Sequence, residues 1–164
     1  MKKKYFSVPF IIGAAGIIMA VAVGVFLGYT LALRTAYKET AYEINESFRT
    51  EAAVTMRRGD EEFVLPVSSV QYYDQFLLQP KTAVYSRKAV PSTDETITLD
   101  FGKKKLSFTG LEDGSAIAVC WKTPEKEKHY IVRSNMTFMQ LSAYYKNCRN
   151  KALKANGANQ GTVS

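Results

Sequence analysis

Histidine, cysteine and paired carboxylates do much of the chemistry in proteins, and this chain holds few of the first two. His129 is its single histidine, and Cys120 and Cys148 are its two cysteines. A Ser-His-Asp or Cys-His nucleophile would have to use His129, and a zinc site ordinarily gathers several His or Cys ligands. His129 stands in a strand-like stretch between a charged turn and Tyr130, which reads as a surface or edge-strand histidine. The carboxylates come mainly as sequence neighbours: Asp60-Glu61-Glu62, Asp94-Glu95 and Glu112-Asp113. Hydrolytic pairs are instead brought together across a cleft by the fold, so glycosidase chemistry is not expected. "FGKKKLSF" sets Gly102 before Lys103, Lys104 and Lys105 but lacks the spacing of a phosphate loop; it reads as a solvated turn. Arg58-Gly59-Asp60 spells an adhesion tripeptide, yet Gly-Asp is also what a tight hairpin turn requires. Asn45 and Asn135 head glycosylation sequons. From these patterns we expect no catalytic residue, no metal and no cofactor.

Two residue pairs invite a structural role. Cys120 falls on the strand face opposite Ile117, Val119 and Trp121, and Cys148 on the apolar stripe of the last helix. If that helix covers the Cys120 face, the two thiols can pair, and an extracytoplasmic domain would favour the bridge. Tyr72-Tyr73 and Tyr144-Tyr145 are doubled in helical segments, where neighbours point about 100° apart. Tyr72 and Tyr144 are therefore the candidates for partial exposure and an interface role, or for lying flat over the core edge.

The elements that must position these residues begin with an uncharged run from residue 5 to 33. Residues 8–33 are long enough to cross a hydrocarbon layer of about 30 Å. The run is too long for the apolar core of a cleavable signal, and "TLALR" is a poor cleavage site. It reads as a signal-anchor transmembrane helix. Lys2, Lys3 and Lys4 precede it, which keeps residues 1–7 in the cytoplasm and sends the C-terminal bulk outside. Within it, Gly16, Ala20, Gly24, Gly28 and Ala32 recur at every fourth position, a groove for a second transmembrane helix from another copy or a partner subunit.

The net charge is +7, but the N-terminal lysines account for three of the 22 Lys and Arg, so 19 face 15 Asp and Glu. That is a weak bias, and no nucleic-acid partner is expected. Residues 34–52 lack Gly and Pro, and Tyr37, Ala41, Ile44 and Phe48 share one helical face; they read as a helical stalk. Residues 53–154 form the globular part. A hairpin carries Val54 and Met56 opposite Phe63 and Leu65. A short helix over 68–79 opens with a Ser68–Gln71 capping box. After a long polar loop over 81–94 comes a four-strand meander, then a helix from about residue 134. Residues 155–164 are low in hydrophobicity and expected to be disordered.

The expected fold is a single N-terminal transmembrane helix plus an α+β ectodomain, an antiparallel sheet (hairpin and four-strand meander) packed by two helices. The expected function is non-enzymatic: a single-pass module of the cell membrane whose extracytoplasmic domain binds another protein. The alternative is a sensory or regulatory module that conveys ectodomain binding of an envelope polymer or lipid through the span.

Overall fold

A computed structural model describes residues 8–86, 88–111 and 116–160, with side chains over 16–155. The N-terminal lysines, the Glu112-Asp113 turn and residues 161–164 lie outside the described residues.

One helix, α1 (Val8–Thr50), contains both the apolar run and the segment after it. At 1.5 Å per residue it rises about 65 Å. Residues 16–29 are exposed all round, although almost all are apolar. Among the described residues it is the one helix long and apolar enough to cross a membrane, and its most apolar window has no buried residue. Residues 34–50 continue it unbroken, as a stalk would, but they do not lift the domain away. Tyr37, Ala41, Ile44 and Phe48 are buried in the domain core. The stalk expectation fails because periodicity marks an apolar face without saying what covers it.

Among the described residues, part of what covers it is one antiparallel sheet of seven strands. These are β1 (Ala53–Arg58), β2 (Glu61–Pro66), β3 (Thr82–Tyr85), β4 (Ile97–Asp100), β5 (Lys105–Gly110), β6 (Ile117–Lys122) and β7 (Glu127–Arg133). Their order is β2-β1-β4-β5-β6-β7-β3. The hairpin and the meander expected from alternation are both present, fused through the β1–β4 pairing that sets Met56 against Leu99. Gly59, at the first turn position of the β1–β2 hairpin, has φ +54°, as a two-residue turn of this kind needs. Strand β3 was not expected. "TAVY" is only four residues long within the polar loop, and it forms by pairing as an edge strand with β7.

Alternation gives the sheet two unlike faces, as antiparallel sheets commonly have. Met56, Leu99, Leu106, Phe108, Val119, Trp121 and Val132 point to one face and are buried. That face packs against the lower half of α1, helix α2 (Gln71–Leu78) and helix α3 (Phe138–Gln160), so three helical segments cover it rather than two. The other face is largely polar.

Helix boundaries differ from expectation for local reasons. A 3-10 turn, Val67–Val70, precedes α2, and no side chain caps either start; the Ser68–Gln71 box does not form. The observed capping box is at Thr137 and Gln140. There the Gln140 side chain accepts from the Thr137 N–H at 2.8 Å, and the Thr137 hydroxyl accepts from the Gln140 N–H at 3.3 Å. Helix α3 therefore starts later than residue 134. It also runs to Gln160, past residue 155 where the sequence places the start of the tail.

Candidate functional site

Position by position, the structure separates some of the candidate residues and joins others. Gly16, Ala20, Gly24, Gly28 and Ala32 lie on the exposed upper half of α1. A Cβ added at Gly16, Gly24 or Gly28 would meet nothing within 4 Å. The small-residue face is thus unoccupied by any part of this chain's described residues. Tyr72 and Tyr144 are half-buried and pack on each other, ring centroids 4.7 Å apart. The Tyr144 hydroxyl donates to the Ser69 carbonyl at 2.6 Å. Both rings lie over the core edge, which supports the packing role for the pair.

Cys120 and Cys148 are free thiols, and the condition for their bridge is not met. Helix α3 covers the face of Trp121, where Cys148 is buried, while Cys120 alternates onto the opposite face of β6. The sheet lies between the two. Arg58 of the Arg-Gly-Asp turn is tied back by Glu95 and sits 5.8 Å above the Tyr145 ring; the tripeptide serves the turn. Asn45 is held by Asp74 at 2.8 Å on the α1–α2 contact, whereas Asn135 is exposed.

His129 does not stand alone. Strands β6 and β7 pair so that Cys120 lies directly opposite His129, and Lys122 opposite Glu127. Glu127 and His129, two residues apart, share the polar face with Cys120. The His129 Nε2 lies 3.2 Å from Glu127 Oε1, and the Cys120 Sγ donates to the same oxygen at 3.6 Å. Lys122 Nζ holds the other oxygen, Oε2, at 3.0 Å. Across β6 from His129, Ser107 lies opposite Cys120 and bonds Thr98 hydroxyl to hydroxyl at 3.0 Å. A polar row therefore crosses four strands and ends in the Cys-His-Glu group. Residues 89–92 of the loop between β3 and β4 line one side of it, and together they bound a partly open pocket of about 250 Å³.

The geometry argues against a Cys-His nucleophile. The carboxylate sits between thiol and imidazole instead of behind the imidazole. Burial, and then the Glu127 charge, push the Cys120 thiol up to about 11, so it stays protonated at neutral pH. Lys122 does the reverse for Glu127: its hydrogen bond and charge hold that carboxyl below the usual range. What the group offers is three donors of different softness converging on one point.

Sequence reasoning missed this group. Each member reads as a turn charge or an isolated polar residue; only the register across the 123–126 turn makes them neighbours. The usable signal was parity: 127 and 129 share a face, and a four-residue turn sets 129 against 120. No family model, no curated protein and no solved structure matches the chain, so function is read from its own residues.

Proposed function

We propose that this chain is a non-enzymatic, membrane-anchored binding or assembly module. In this reading, residues 8–33 are an uncleaved signal anchor, the N-terminus is cytoplasmic, and the α+β domain engages another protein outside the membrane. The observation that carries it is the division of α1. Its upper half is apolar and exposed, with none of its most apolar window buried among the described residues, while the lower half of the same helix is buried in the domain. Large exposed apolar surface on a protein marks a contact with membrane or partner, and here it is long enough to span. The lysines before it support the orientation through the positive-inside rule.

The small-residue face supplies the association step. With Gly24 and Gly28 open on the helix surface, a second transmembrane helix can approach closely and gain van der Waals contact. Crosslinking in native membranes tests this. Gly24→Leu with Gly28→Leu should keep insertion but reduce the crosslinked species, while Ile18→Leu with Phe26→Leu should leave it unchanged. Equal crosslinking in both variants would reduce the stripe to composition and overturn helix association.

A further inference from the structure

We propose that Cys120, Glu127 and His129 form a binding site for a thiophilic divalent transition-metal ion of the Zn²⁺ class, with a fourth coordination position open to the pocket that residues 89–92 help line. The ligand atoms of the three residues all lie within 4.8 Å of one another. At metal–ligand lengths of about 2.0–2.3 Å, a tetrahedron has ligand–ligand edges of about 3.3–3.8 Å. The 3.2 Å imidazole–carboxylate and 3.6 Å thiol–carboxylate separations are close to two such edges. Small side-chain rotations complete the third, because all three residues project from one face of a paired β-ribbon.

The donor set matches in chemistry as well as in spacing. Thiolate and imidazole favour Zn²⁺ and its neighbours over Mg²⁺ or Ca²⁺, which prefer oxygen alone. Binding releases the Cys120 proton, and thiolate and carboxylate together then neutralise a 2+ ion, with imidazole neutral. Supports of the kind that orient metal ligands are also in place. The Lys122 ammonium holds Glu127 Oε2 at 3.0 Å, which turns Oε1 toward Cys120 and His129. The His129 side chain is 17% exposed and that of Glu127 40%, so the site is sheltered yet open to entry. Cys148 lies beyond the sheet and cannot contribute.

Three protein ligands leave a position for water or an added small ligand, as in open zinc sites. Residues 89–92 and the pocket of about 250 Å³ that they help line give that position a partly bounded space.

The test is Co²⁺ titration of the full chain, purified in detergent and stripped with chelator. Wild type should take up one Co²⁺ per chain with a thiolate-to-cobalt charge-transfer band, which Zn²⁺ then erases. Cys120→Ser should abolish the band, and Cys148→Ala should keep it. Glu127→Gln and His129→Gln should each weaken Co²⁺ affinity by more than about tenfold, at least the effect of losing an outer support. These positions lie on the sheet face away from the core, and far-UV circular dichroism checks that each variant folds. Should Cys120→Ser not fold, the affinity of His129→Gln decides alone. Wild type that fails to bind stoichiometrically, a band that survives in Cys120→Ser, or unchanged affinity in folded His129→Gln would overturn the site.

Discussion

Gly110 ends β5 where α3 begins to pack. A Cβ there would fall 2.6 Å from the Phe138 Cδ1 and 2.8 Å from its Cγ, closer than side chains tolerate. Phe138 is the first residue of α3, its backbone fixed by the Thr137–Gln140 cap, and its Cβ would itself stand 3.2 Å from the added atom. Gly110→Ala should destabilise the domain by about 1–3 kcal/mol, the ordinary cost of overpacking. Gly16→Ala, which meets open space, should cost nothing. Urea denaturation of both variants checks this, and Phe138→Ala should cost less in the Gly110→Ala background than in the wild type, because the ring no longer meets the added Cβ. The Gly110–Phe138 contact was not legible in the sequence, and the Cys120–Glu127–His129 group was legible only through the parity of 127 and 129 and the length of the 123–126 turn. Residue types and spacing show which face a side chain takes, but pairing register decides what it meets there.

Strands and helices were more readable, because their periods are printed in the chain. The stripe of Tyr37, Ala41, Ile44 and Phe48 was visible, yet its role as a core wall was not, since the sheet it meets lies downstream. That role has consequences. Ile44, 1% exposed, should cost about 2–5 kcal/mol when changed to Ala, while Tyr42, 68% exposed, should change stability by less than about 0.5 kcal/mol. Equal small effects in denaturant melts would restore the free stalk. The same helix is clamped to the β6–β7 turn by Glu43, which meets Lys126 Nζ at 2.6 Å and Lys128 Nζ at 3.7 Å. Burial pushes the Glu43 carboxyl up, but the two ammonium groups more than offset this and leave it below its ordinary value. A depressed folded pKa means the pair stabilises at neutral pH and that this contribution is lost as pH falls through the carboxylate range. Glu43→Gln should therefore flatten the acid limb of stability below about pH 5, with a loss at pH 7 under about 1 kcal/mol because the pair is partly exposed. Thermal melts from pH 3 to 7 (roughly the carboxylate range and the neutral side of it) check the prediction; parallel limbs would deny the clamp.

The whole molecule is organised by one helix whose upper half is apolar and exposed and whose lower half is buried in the domain. Its lower half is fastened to the sheet by Thr40, whose hydroxyl meets the Tyr130 hydroxyl at 2.9 Å and the Lys128 ammonium at 2.8 Å. The Tyr37 hydroxyl adds a bond to the Leu77 carbonyl at 2.9 Å. With no loop between the apolar run and the domain, the direction of the upper helix fixes how the domain stands relative to it. The apolar run was plain from composition, but its unbroken fusion to the domain core was not, because nothing local marks where a helix passes from exposed to buried. The proposed function requires residues 8–33 to be a retained membrane anchor. The most direct measurement is the intact mass of the protein recovered from membranes washed in alkaline carbonate. A chain that stays in the pellet and whose mass still includes residues 8–33 is the expected result. A chain released by carbonate, or a mature form beginning near Arg34, would contradict it.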